Sequence, residues 1–187
     1  MEMQLLQILA ICGSLRRESS NKELLRAAAQ FIAPDVRVTF FEGLAELPHF
    51  NPDLDETAQP AVVAWRAQLA AADGMLISSP EYAHSLPGAL KNALDWVVGS
   101  TDLEFTGKAV ALLNASPGST YGQAALLEVL TVIGANVSAA ASIALPLRGR
   151  DLTAAAIVAA PELAGPLRAA MLAFVDALRA AAAARLQ

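Results

Sequence analysis

With a single cysteine, Cys12, among 187 residues, the chain can close no internal disulfide and carries no thiolate set for zinc or an iron–sulfur cluster. That cysteine sits in the first apolar run, which predicts a buried, inert thiol. There are two histidines, His49 and His84, and neither belongs to an H-x-x-x-H or H-E-x-x-H pattern, so no metal site is expected. No G-x-S-x-G elbow is present, and no Ser-His-Asp assignment follows from residue order. Basic residues are scarce: 13 Lys and Arg against 18 Asp and Glu give a net charge of -5. None of them forms a stripe, so a general pull on nucleic acid or an anionic membrane is missing and any anion site is local. The opening MEMQLLQILAIC places an acid at position 2 and offers neither a basic region nor a small-residue cleavage site. No secretory signal is expected there, and the expected location is the cytoplasm.

What the chain does have is apolar surface to bury. Apolar residues make up 55% and charged residues 17%, which excludes disorder and suits one α/β domain over residues 1–187. Strand-like runs occur at Leu5 to Cys12, Val36 to Phe41, Met75 to Ser79, Ala109 to Ala115 and Val137 to Leu145, with helical patterns between them. Continuous apolar runs, unlike alternating ones, belong to strands covered on both faces, so a parallel sheet with helices on each side is predicted. Residues 124 to 147 are nearly uncharged and long enough for a membrane span, but Glu128, Gly134 and Asn136 interrupt them. Leu126, Leu127, Leu130 and Ile133 recur at helical spacing, and the residues after GAN are β-branched, so helix, turn and strand are expected in that order. A last helix is expected from Pro161 to Arg185, bent at Pro166. The acid- and proline-rich stretch at residues 42 to 60 is expected to be a surface loop.

In such sheets ligands bind beyond the carboxyl ends of the strands, where strand order reverses. The loops after the first, third and fourth runs are therefore the candidates. In GSLRRESSN, Gly13 allows a turn, Ser14 and Ser19 offer hydroxyls, and Ser20 with Glu23 fits a capping box that opens a helix. A helix N-terminus suits a phosphate dianion, and Arg16 adds a bidentate donor. The loop is neither G-x-G-x-x-G nor G-x-x-x-x-G-K-[ST], so the phosphate is not expected to be that of ATP or an ordinary dinucleotide. The second loop, SSPEYAHSLPGALKNALDW, is stiffened by Pro80 and Pro87 and carries Tyr82, while His84 reads as a loop residue near a ligand and not as a general base. The third, NASPGSTYGQA, has Gly118 and Gly122, which let backbone approach a planar ring.

These pieces resemble the NADPH-dependent FMN reductase family of flavodoxin-like proteins, which includes quinone, chromate and azo-dye reductases. GSLRRESSN is similar to the family's G-S-x-R-x-x-S-x-N, LPHFNPDLD to its Leu-Pro-x-aromatic-Asn-x-Asp-Leu stretch, PEYAHSLPGALKNALDW to its P-E-Y-N-x-S-x-P-G-x-L-K-N-A-x-D-W, and ASPG to its last flavin loop. The resemblance implies a five-stranded parallel sheet of order 2-1-3-4-5 with helices on both faces. It implies FMN as cofactor, with Ser14, Arg16, Ser19, Ser20 and Asn21 seating its phosphate. Pro80, Glu81, Tyr82, Ala83, His84 and Ser85 would border the isoalloxazine, and Ser116, Pro117 and Gly118 would close the other side. NADPH or NADH would be co-substrate, and a quinone, free flavin or similar small molecule the acceptor. No residue is implied as an acid, base or nucleophile, because the cofactor carries the hydride chemistry. Homodimers or homotetramers are also implied, with Asp95, Trp96 and Val97 as candidate contacts. Two positions depart from the pattern: Ala83 stands where asparagine is usual, and Tyr121 where the first of two glycines is usual. An electron carrier of flavodoxin type, or a flavodoxin-like binding module without catalysis, are the competing expectations.

Overall fold

A computed structural model describes residues 5–98, 104–147 and 153–184. Five parallel strands run in the order β2-β1-β3-β4-β5, formed by β1 (Leu6–Cys12), β2 (Val36–Phe41), β3 (Gly74–Ser78), β4 (Ala109–Asn114) and β5 (Asn136–Val137). The order reverses between β1 and β3, as the doubly wound expectation required. A sixth short strand, β6 (Ile143–Ala144), also pairs with β4.

Successive strand residues point to opposite faces, and each face has its own helices. Ile8, Ala10, Leu76, Ala111 and Leu113 bury against α1 (Ser20–Ala29), α5 (Ala154–Ala159) and α6 (Pro161–Ala184). Leu9, Ile11, Met75, Ile77, Val110 and Leu112 bury against α2 (Pro60–Ala71), α3 (Gly88–Asp95) and α4 (Thr120–Val132). Both faces being covered explains why β3 and β4 are apolar runs with every residue buried. By contrast β2, at the sheet edge, exposes Arg37 and Thr39. The α4 helix ends in a Schellman turn: Gly134 takes φ +82, Gly134 N–H donates to Thr131 O, and Ala135 N–H donates to Leu130 O.

The expected single strand over Val137 to Leu145 is broken in two. Val110 pairs with Val137 and Leu113 with Ile143, so three steps along β4 correspond to six along its partner. The surplus is taken up by a turn that the small residues of SAAAS permit. Ser142 Oγ donates to Ser138 O at 2.7 Å, and Leu112 N–H, deprived of a strand carbonyl, donates to Ser142 Oγ at 3.0 Å. Serine hydroxyls here compete with the ladder for backbone partners. The α6 helix runs through Pro166 without interruption, and Arg185 lies outside the described residues. Among the described residues no helix is long and apolar enough to cross a membrane.

Residues 42 to 60 are a loop, as expected, but a strapped one. Asn92 and Trp96, one helical turn apart, donate from Nδ2 and Nε1 to Pro48 O at 2.9 and 2.8 Å, and Phe50 N–H donates to Asn92 Oδ1 at 2.7 Å. Trp96 and Val97, expected as possible subunit contacts, are buried in the core of this chain, while Asp95 is half-buried and pairs with Lys91. Among the described glycines the closest surroundings are at Gly74, where a Cβ would lie 2.5 Å from Leu178 Cδ2 and 2.8 Å from Ala109 O. Gly74→Ala is expected to lower stability by about 1–3 kcal/mol, as overpacking against backbone cannot be relieved by one rotamer change. Urea unfolding measures it, and an unchanged midpoint would contradict this packing.

Candidate functional site

The carboxyl ends of β1, β3 and β4 open into a cavity of about 430 Å³. Its first wall is the loop from β1 into α1, represented by Ser14, Arg16, Ser19, Ser20 and Asn21. Its second is Ser79, Pro80, Glu81 and Tyr82, and its third Asn114, Ala115, Ser116, Gly118 and Ser119. Three loops separated by up to a hundred positions in the chain converge here because β1, β3 and β4 are neighbours in the sheet and all point the same way.

A short polar network holds the first two walls together. Gly13 N–H donates to Ser78 O at 2.8 Å, extending the β1–β3 ladder one residue past the end of β1. The buried Ser78 hydroxyl donates to Asn21 Oδ1 at 2.9 Å. Side chain is excluded at position 13, where a Cβ would sit 2.6 Å from Ser79 Oγ and 3.0 Å from Leu90 Cδ2. The expected capping box is absent. Ser19, not Ser20, is the N-cap of α1, and no side chain caps the helix. Glu23 is drawn elsewhere, one oxygen to Arg26 and the other accepting from Ala154 N–H at 2.7 Å, at the start of α5. The first-turn amides of α1 therefore lack a side-chain acceptor and sit at a cavity whose first wall also carries three serines and a guanidinium, a donor set that fits a phosphate dianion.

Of the residues named from sequence, Ser14, Arg16, Ser19, Ser20, Asn21, Pro80, Glu81, Tyr82, Ser116 and Gly118 line this cavity. Ala83, His84, Ser85 and Pro117 do not. Ala83 and His84 form the tip of a tight turn that leads the chain away from it, with Tyr82 and Ser85 exchanging backbone bonds. Four lining residues were missed: Ser79, Asn114, Ala115 and Ser119. Asn114 carries a signal that was legible, a polar residue ending an apolar strand; its Oδ1 accepts from Ser116 N–H at 2.9 Å and shapes the third loop. Gly118 has nothing within 4 Å of a Cβ built on it, so this wall has room for a flat group.

The two arginines differ in placement: Arg16 lines both this cavity and a neighbouring hollow. Arg17 is outside the cavity and borders that smaller hollow, of about 170 Å³ between β1 and β2, which Cys12, Lys22 and Glu42 also line. Cys12 is half-buried there, not fully enclosed as expected, and burial pushes its thiol above the ordinary range, which leaves it protonated and unreactive near neutral pH. Glu81, the one acid on the cavity, is turned to α4, where its Oε2 accepts from Gly122 N–H at 2.7 Å. The positive end of that helix offsets its charge. Among the described residues no group of three or more His, Cys, Asp or Glu is placed to hold a metal ion.

The model of the family described as NADPH-dependent FMN reductase matches residues 6–147. An NAD(P)H-dependent FMN reductase of Pseudomonas aeruginosa is 37% identical over 114 residues, covering 60% of this chain and 61% of that protein. A quinone reductase of Escherichia coli is 34% identical over 137 residues, covering 71% and 73%. The chain thus spans less than two thirds of the length of the Pseudomonas relative. Among solved structures, a flavoenzyme NAD(P)H:(acceptor) oxidoreductase from Paracoccus denitrificans superposes with a TM-score of 0.76 at 25% identity, covering 93% of this chain and 97% of that one.

Asn21→Ala is expected to cost about 1–3 kcal/mol, because the buried Ser78 hydroxyl loses its acceptor. Adding Ser78→Ala should recover part of that loss, since both partners are then gone. Chemical denaturation of the two single variants and the double variant reads this, and strict additivity would remove the bond from the network.

Proposed function

The chain belongs to the NADPH-dependent FMN reductase family, and from that premise we propose that it is an FMN-dependent NAD(P)H oxidoreductase. The observation that carries the proposal is the uncapped α1 N-terminus opening, together with Ser14, Arg16, Ser19 and Ser20, into a cavity bounded by two further loops. Bound FMN supplies the redox chemistry, accepting hydride from nicotinamide and delivering electrons to a quinone, free flavin or similar small acceptor.

The residues of the chain bind and orient. Arg16 and the first-turn amides would hold the phosphate of FMN, and Pro80 to Tyr82 together with Ser116 and Gly118 would border its ring system. Backbone N–H groups around Gly118 would be the donors available to the polar edge of a bound flavin, stabilising negative charge there. No side chain is assigned a proton-transfer role. The proposal extends to one domain over residues 1–187, a cytoplasmic location and assembly into a homodimer or homotetramer. The lone cysteine agrees with a reducing compartment, and Val98, 52% exposed beside the buried Trp96 and Val97, offers apolar surface for a subunit contact.

The expected outcome is a yellow protein after reconstitution with FMN, whose flavin absorbance is lost rapidly in stopped flow when NADPH or NADH is added without oxygen. A bound flavin that neither nucleotide bleaches would make this an electron carrier, and a protein that takes up no FMN would make it a binding module. Arg16→Ala is expected to weaken FMN binding by about 1.5–3 kcal/mol, the range for a hydrogen bond to a charged group. Quenching of FMN fluorescence on titration gives the affinity, and an unaltered Kd would take Arg16 out of the phosphate seat.

A further inference from the structure

Residues 82 to 85 form a two-residue turn in which Tyr82 N–H donates to Ser85 O and Ser85 N–H donates to Tyr82 O, both at 3.0 Å. Its two central residues, Ala83 at φ 48 and His84 at φ 58, are the non-glycine residues with positive φ among those described. A turn with both centres left-handed favours Asn, Asp or Gly, and histidine enters that region more readily than most. Alanine has a Cβ to clash and no polar group to bond its own backbone, so position 83 opposes the conformation it adopts.

The turn is held from outside. The His84 ring stacks on that of Tyr121, with centroids 4.3 Å apart and planes at 12°. Tyr121 is the second residue of α4, and the next residue, Gly122, donates its N–H to Glu81. Contact there is close: a Cβ on Gly122 would lie 3.0 Å from Glu81 Cβ and 3.1 Å from Ser85 O. Glu81 and Tyr82 on one side of this junction, and Gly118 and Ser119 on the other, line the cavity, whereas His84 and Tyr121 do not.

We propose that His84 and Tyr121 are positioning residues: their stack offsets the strain at Ala83 and fixes the separation of the second and third walls of the cavity. The inference rests on the proposed flavin site only for what occupies the space between those walls. An aromatic stack is of the same order as the strain of one left-handed residue, so losing either ring should loosen the turn without unfolding the protein.

Amide hydrogen exchange at Tyr82 and Ser85, followed by NMR on the protein without added flavin, tests the stack directly, and FMN titration tests its consequence. Tyr121→Ala and His84→Ala are each expected to speed exchange at the two amides about twofold to tenfold. FMN affinity should fall by a similar factor, and the variant lacking both rings should be no worse than either alone. Ala83→Asn supplies a residue suited to the left-handed region. It should slow exchange markedly in the Tyr121→Ala background and little in the native chain. Unchanged exchange in the ring variants, or an equal gain from Ala83→Asn in both backgrounds, would overturn the proposal. Accelerated exchange in a protein that binds no FMN would uphold the stack's role and count against the proposed function alone. Normal FMN binding with unaltered exchange would do the reverse.

Discussion

Ser78 ends β3 with no exposure to solvent, and its hydroxyl has one place to go, the side chain of Asn21. That bond, with the Gly13 N–H on Ser78 O, fixes where α1 starts relative to the sheet. A buried hydroxyl without an acceptor is costly, so the helix cannot slide or rotate away freely. Everything proposed for the cavity depends on this placement, because the unpaired amides of the first turn become an anion seat only when they face the gap between β1 and β3. The absence of a side chain at Gly13 is part of the same constraint, since a Cβ there would press within 2.6 Å of the Ser79 hydroxyl.

A second constraint acts from outside the sheet. Asn92 and Trp96 lie on one face of α3 and its end, and both donate to Pro48 O, which also brings the Phe50 ring edge-on to Trp96 at 5.1 Å. The loop at residues 42 to 60 thereby braces the helix that follows the second wall of the cavity. Trp65, fully buried, reaches the same helix by donating from Nε1 to Ala93 O at 2.9 Å. Position of the second wall is thus set by α3, whose own position is set by side-chain bonds to backbone carbonyls; the third wall is tied to the second by Glu81, Gly122 and the His84–Tyr121 pair.

The helices and the parallel sheet were legible because they rest on local apolar patterns, whereas the strand order came from the resemblance to a family and not from those patterns. A run such as Met75 to Ile77 is buried on both faces wherever it lies, and the sequence alone says so. Most cavity residues were legible too, since loops at strand ends carry unusual small and polar residues. Other features were not. Glu23 looked like half of a capping box, yet its carboxylate caps a helix 131 residues away; local spacing cannot reveal a competitor that distant. Val137 to Leu145 looked like one strand, yet Ser138 and Ser142 bond each other and split it. Ala83 and Tyr121 were visible as two separate departures from a resemblance, with nothing to show that His84, beside one, lies against the other.

Local residue patterns sufficed for which segments become strands and helices, for a sheet covered on both faces, and for the three strand-end loops that meet at the cavity, because burial and turn preferences act over a few residues. The pairing of polar groups across the chain is set in three dimensions: Ser78 with Asn21, Glu23 with the start of α5, Glu81 with Gly122. Each such partner is chosen by competition among all donors and acceptors brought together when the sheet forms, and the winner is fixed by distance in space and not by distance along the chain.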